Sequence, residues 1–263
     1  VRSWSAVAGV GLLAIFGLLA VAAPMLAPYD PRLASGAAFS LPQRAHLFGT
    51  NDLGQDLFSS WLWDARASLV VAGLVAGLST ALAWCVGLTT GTSRRLGAPL
   101  LGTADLLLAL PALLLYLVVL TLVGPSQFTL IVVLGLTAWP TFARVVRARV
   151  LDVRGARYVD AARGFGATPT RIALVHIFPG TRPLLPAQLA LAVRFALFAE
   201  ATLAFLGLGD PNAAGWGGTL ASAFADPLLF ERAVWPWWVV PPAVSIVLVV
   251  LATTWLATAL VRD

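Results

Sequence analysis

Apolar residues gather into six long runs, roughly 4–26, 67–91, 99–123, 128–146, 184–206 and 239–261, separated by polar stretches. Each run comes close to or exceeds the ~20 residues that carry a helix across a bilayer. The pattern predicts an all-α polytopic membrane protein with six transmembrane helices. Its first run has too long an apolar core for a cleaved signal peptide, and no small-x-small site followed by a soluble domain appears. The organisation expected is a first transmembrane helix over 1–26, an external segment over 27–65, and a core of five helices over 66–263 that includes a polar loop over 150–183. No internal repeat is evident.

Within the runs, Gly73, Gly77, Ser79 and Gly87 give the second span small-residue faces for close packing. Pro111 should kink the third span. Three intramembrane polar positions stand out: Asp105, Arg194 and Glu200. Asp105 lies about a turn from one end of its span, within reach of loop arginines or headgroups. Arg194 and Glu200 are six apart and share no helical face, so each needs a partner on another helix or a water-filled cavity. Gly207 and Gly209 allow a sharp turn after the fifth span. Beyond it, Trp216, Trp235, Trp237 and Trp238 read as an aromatic belt at the membrane surface.

The polar stretch over 154–183, RGARYVDAARGFGATPTRIALVHIFPGTRP, reads as two short helices joined by a tight turn. Tyr158, Ala161, Ala162 and Phe165 recur at helical spacing on one face, while Arg157, Asp160 and Arg163 lie on another. Gly166 suits a left-handed stop. Thr168 offers an N-cap, Pro169 the first helical position, and the second helix should run to about Phe178 before Pro179-Gly180 ends it. By itself this pattern fits a solvated connector as well as a docking element. The earlier segment HLFGTNDLGQDLFSSWLWDARASL, 46–69, is a Gly- and Asp-punctuated loop leading into an amphipathic turn whose Leu57, Trp61 and Leu62 would lie at the interface.

Composition narrows the class further. Of 263 residues 59% are hydrophobic and only 11% charged, against ~25% charged in soluble domains. All 17 basic residues are arginines, and the net charge is +5. Eight of them (Arg144, Arg147, Arg149, Arg154, Arg157, Arg163, Arg171 and Arg182) sit around the polar loop. The positive-inside rule therefore places that loop and both termini in the cytoplasm and removes any reason to invoke nucleic acid. The single cysteine, Cys85, forms no disulfide framework, and His46 and His176 are too far apart to suggest a metal site. A chain without lysine cannot supply a phosphate-binding P-loop, and no Ser/His/Asp constellation is supported, so neither ATP hydrolysis nor embedded catalysis is expected.

Asp160-Ala161-Ala162, then Gly166, then His176-Ile177-Phe178-Pro179 resembles the EAA loop of ABC importer permeases, with Asp160 where that family usually has Glu. The 46–69 segment is similar to the HPFGTDxLGRD segment of dipeptide, oligopeptide and nickel permeases, with Leu47 for the usual Pro and Gln55 for the usual Arg. AEATLAFLGLGDP, 199–211, resembles AEASLSFLGLG of the same subfamily, the C-type permeases.

The resemblance implies a type I ABC importer permease fold in a bacterial or archaeal cytoplasmic (inner) membrane. Its coupling loop would comprise Tyr158, Asp160, Ala161, Ala162, Phe165, Gly166, His176 and Pro179. It implies as partners a second homologous permease subunit forming a heterodimer, two cytoplasmic ABC ATPase subunits that carry ATP and Mg, an external solute-binding protein and the lipid bilayer. This chain would hold no cofactor or metal and would be a non-catalytic subunit. Peptides are the solute expected first, nickel or a metal chelate second. From other classes, an ion-coupled secondary transporter or channel would use Asp105, Arg194 or Glu200 as coupling charges, and a membrane scaffold would have no transport role.

Overall fold

The structure is a computed structural model that describes residues 2–211 and 215–261. Asn212–Ala214 and the closing Arg262-Asp263 lie outside the described residues. Helix α1 (Arg2–Leu26) leads into an irregular segment, and α2 (Leu57–Thr92) is the longest continuous helix. There follow α3 (Arg94–Ala109), α4 (Ala112–Val123), α5 (Gln127–Arg154) and the short α6 (Arg157–Gly164). The next stretch is helical from Pro169 to Leu208: α7 (Pro169–Ile172), a π-helical turn, α8 (Phe178–Thr181), a 3-10 turn, α9 (Leu185–Leu203) and a second π turn. Helices α10 (Trp216–Ala225) and α11 (Trp235–Val261) complete the chain.

Five of these helical stretches are long and apolar enough to cross a membrane, and six do so if the bent pair α3–α4 counts as one span. That pair departs from the expected kink: the two helices meet at 87°. Pro111 offers no N–H and pushes the residue before it out of helical space, and Leu110 is extended at φ −81°, ψ 136°. The helix therefore stops and restarts.

Two other boundaries also shift. The second span begins ten residues earlier than 67, because Asp56 caps it: its Oδ2 accepts the Ser59 N–H at 2.7 Å. Leu57 and Leu62 then lie inside the protein at 4% and 0% exposure, not at a membrane interface. Pro179-Gly180 does not end the second loop helix. Pro179, Pro183 and Pro186 each open a fresh helical segment, where a missing N–H leaves no bond unmade, so the helix continues into the fifth span.

In lipid, helices associate by close packing and not by escape from water. The α2–α5 contact shows it. A Cβ on Gly87 would lie 2.7 Å from Val146, and one on Gly91 2.3 Å from Val150, so valines of α5 fill notches in α2. Gly73 and Gly77, expected to pack likewise, face away from the chain: a Cβ on either would meet nothing within 4 Å. Two of the four belt tryptophans are corrected more strongly. Trp216 and Trp238 are 0% and 1% exposed; Trp216 packs edge-on against Phe16 at 5.6 Å and its ring N–H reaches the Trp61 carbonyl at 3.4 Å. Those two are core residues, not part of a belt, whereas Trp235 is half-buried and Trp237 is exposed. At the end of the fifth span only Gly207 is left-handed, at φ 80°; Gly209 is extended.

Chain direction sorts the connections into two ends. The α2–α3 turn and the loop between α5 and α9 share one end, where Arg154 donates to the Gly91 carbonyl at 3.0 Å. The 27–56 segment, the α4–α5 turn and α10 lie at the other, where the Gln127 N–H meets Asp210 at 3.0 Å.

Candidate functional site

The arginine-rich loop is built as a rigid corner. Helix α5 carries its arginines past the span and stops at Gly155. Helix α6 then ends in a closed motif: the Ala167 N–H bonds to the Ala162 carbonyl at 3.0 Å and the Gly166 N–H to Arg163 at 2.9 Å, with Gly166 at φ 80°. That pairing is the Schellman arrangement, and it satisfies the last carbonyls of the helix. Thr168 caps the next helix, accepting the Arg171 N–H at 3.3 Å, with Pro169 at its first turn.

The face that holds α6 to the protein is not the expected stripe. Val159, fully buried, packs in a cluster with Trp84, Val146, Val150, Val153, Ile172 and Ile177. Tyr158 and Phe165 instead stand 52% and 92% exposed. A helix of two turns buries one side, and Val159 takes it, so the stripe is left to face outward. Asp160 pairs with Arg163 at 2.6 Å along the helix surface. Ala161 is exposed and Ala162 half-buried. The His176 ring lies 5.9 Å from that of Tyr158, tying the two short helices together, and Pro179 is exposed. Arg154 reaches the final carbonyls of α2, and Arg149 donates to the Gly180 carbonyl at 3.3 Å, so two of the loop's arginines fasten its ends.

The three intramembrane charges go to different places. Asp105 pairs with Arg144 of α5 at 2.5 Å, linking α3 to α5. Glu200 is 5% exposed and accepts the Ser68 hydroxyl at 3.2 Å; Ser68 in turn accepts the Trp216 N–H at 3.1 Å. Gly215 lies so close that a Cβ there would fall 2.3 Å from Ser68 Oγ and 2.6 Å from Glu200 Oε1. Arg194 is exposed and forms no hydrogen bond or ion pair among the described residues.

Sequence reasoning misses two buried acidic positions. Asp56, 1% exposed, bonds His46 Nδ1 at 2.9 Å with one oxygen while its other caps α2. The signal is Asp56 three residues before Ser59, a capping spacing hidden by starting the helix late. Asp64, 4% exposed, accepts the Thr219 hydroxyl from α10. It reads as loop only if the helix begins at 67.

A family profile described as "Binding-protein-dependent transport system inner membrane component" matches residues 73–263. The chain belongs to that family. This permease, a membrane subunit of an ABC importer, also matches the "N-terminal TM domain of oligopeptide transport permease C" over residues 1–45. It is 36% identical over 247 residues to a peptide transport system permease protein of Brucella suis biovar 1 (strain 1330), covering 93% of this chain and 81% of that one. With the dipeptide transport system permease protein of Bacillus subtilis (strain 168) it shares 35% over 215 residues, 81% of this chain and 67% of that one. The permease fold is shared with a chain of the MetNI methionine ABC transporter, at TM-score 0.59 and 18% identity, covering 78% of this chain and 96% of that one.

Proposed function

We propose that this permease imports peptides, paired with a second homologous permease and served by two ATPase subunits and an external solute-binding protein. The names of its relatives support the solute. The arginine concentration supports an orientation with the 150–183 loop and both termini in the cytoplasm of a prokaryotic cell, and the 27–56 segment outside. The chain is non-catalytic. ATP and Mg belong to the ATPase subunits.

The observation that carries the coupling role is the outward face of α6. Tyr158 and Phe165 are exposed aromatic groups on a corner whose own packing is completed by Val159. Aromatic anchors of this kind suit a pocket on a partner. When ATP closes the ATPase pair, the corner moves with it as a unit, because the Schellman turn and the Arg154 and Arg149 contacts leave it little freedom. That motion opens the permease pair outward to accept solute, and hydrolysis resets it.

Phe165→Asp in the assembled transporter tests this reading. Burying an aromatic ring is worth ~1.5–3 kcal/mol, so ATPase recovery with the permease pair should fall about tenfold or more while membrane insertion stays normal. Unchanged ATPase recovery and peptide uptake would reduce the loop to a connector.

A further inference from the structure

At the end opposite the arginine-rich loop, a cavity of about 710 Å³ lies between the 27–56 segment, the first turns of α2 and helix α10. Asp64 and Thr219 line it, together with Trp63, Arg32, Arg66 and Asp52. Arg66 is exposed, its guanidinium 5.6 Å from the Trp63 ring centre, and Arg32 and Asp52 are likewise exposed. Asp64 differs from all three. It is 4% exposed yet borders the cavity, and Thr219 is the one donor it has among the described residues. Its second carboxylate oxygen, Oδ1, receives no hydrogen bond there.

A desolvated carboxylate with a single neutral donor is poorly compensated, and the missing compensation is positive charge. No basic side chain pairs with Asp64 or with Glu200 among the described residues. Glu200 extends the pattern. Its partner Ser68 is one turn beyond Asp64 on the same face of α2, so the two carboxylates follow one another inward from the cavity. A carboxylate placed only to hold Thr219 needs neither the cavity beside it nor a second acid behind it.

We propose that Asp64, steadied by the Thr219 hydroxyl, is a subsite that receives the α-ammonium group of the delivered peptide. The subsite rests on the import reading given above and adds a chemical preference to it. Solutes with a free amino terminus are drawn to the cavity, and those with a blocked one are not.

The assembled transporter, reconstituted with its receptor, carries the test. Ser222 lines the cavity and is exposed, so Ser222→Cys in a Cys85→Ala background reports occupancy through labelling by an impermeant maleimide. The probes are tri-alanine and N-acetyl-tri-alanine. Tri-alanine should protect the cysteine at concentrations at least about tenfold lower than its acetylated form, a ratio worth roughly 1.4 kcal/mol. Asp64→Asn, which keeps the shape and a hydrogen-bonding group, should erase that ratio. Equal protection by both probes, no protection by either, or a ratio that survives Asp64→Asn would overturn the subsite. Should Asp64→Asn fail to assemble, Thr219→Val decides: the tri-alanine concentration should rise several-fold with the acetylated probe unaffected, and no change overturns the proposal. ATP-driven peptide uptake is measured in parallel. Absent uptake with the ratio intact removes the import reading alone; normal uptake without the ratio removes the subsite alone.

Discussion

His46 and Asp56 pair at 2.9 Å with side chains 4% and 1% exposed; Asp160 and Arg163 pair at 2.6 Å with side chains 62% and 40% exposed. The first pair belongs to the 27–56 segment, the second to the arginine-rich loop, and each region joins spans and is rich in polar groups. In the 27–56 segment one set of polar groups, His46, Thr50, Asn51 and Asp56, turns inward, while Asp30, Arg32, Arg44 and Asp52 face outward. Thr50 donates to the Ala37 carbonyl and accepts the Ser40 N–H, and Asn51 Oδ1 accepts the Leu53 and Gln55 N–H groups. Every such bond specifies the shape of the segment itself. At the arginine-rich loop the backbone corner is equally well bonded, but the charges and two aromatic rings turn outward. Both regions leave apolar side chains exposed, Leu33, Leu41, Leu47 and Leu53 in the first and Tyr158 and Phe165 in the second. The difference lies in what holds each shape: buried polar bonds in the segment, and a backbone corner packed on Val159 at the loop.

Two glycines with nearly the same backbone put that contrast to a direct test. Gly49 has φ 78° and Gly166 φ 80°. A Cβ on Gly49 would sit 2.2 Å from the Ser40 carbonyl oxygen, whereas one on Gly166 meets nothing within 4 Å. Gly49→Ala therefore combines left-handed strain with a backbone clash and should cost about 3 kcal/mol or more, read as a lower unfolding midpoint in detergent and less permease in the membrane. This is the largest effect expected.

Gly166→Ala isolates the backbone cost. It should lower stability by only ~1 kcal/mol, leave the permease level in the membrane unchanged, and weaken ATPase recovery modestly by loosening the angle between α6 and α7. Equal losses of stability in the two variants would erase the distinction between the two ends.

The same contrast explains what is legible in the sequence. The spans are legible because apolar length alone sets them, and the loop corner because Gly166, Thr168 and Pro169 are local signals in nearby positions. Boundaries fail where distant packing decides. Leu57 to Asp64 has the pattern of a surface turn as long as its polar residues are assigned to solvent, yet Asp56 caps the helix and Asp64 meets Thr219 from α10. Trp216 has the setting of a belt residue because nothing local says that Phe16, near the other end of the chain, closes over it. For α6, periodicity finds the apolar stripe but does not say which side faces home. Val159, outside the stripe, is the residue that packs against Val153 and Ile172.

The smallest effect concerns Asp105 and Arg144, the ion pair that ties α3 to α5. Their side chains are 64% and 52% exposed in the single chain, so the pair resembles those of the arginine-rich loop more than His46–Asp56. Exposed pairs contribute ~0–1 kcal/mol, because water screens them and ordering two side chains costs entropy. Helix α3 has other support: Ala104 is buried against Ala83, Trp139 and Ala143. A double-mutant cycle with Asp105→Ala and Arg144→Ala should therefore give a coupling of about 1 kcal/mol or less for the isolated permease, and the swap Asp105→Arg with Arg144→Asp should recover most of it. Repeating the cycle on the paired permeases sharpens the comparison. A coupling that stays small means the pair remains at a wet surface, like Asp160–Arg163. A coupling of about 3 kcal/mol or more means the second subunit seals it from water, because each single mutant then leaves an uncompensated buried charge. In that event Asp105 and Arg144 would join the inward-turned class, and the face that α3 shares with α5 would be the one against which the partner permease packs.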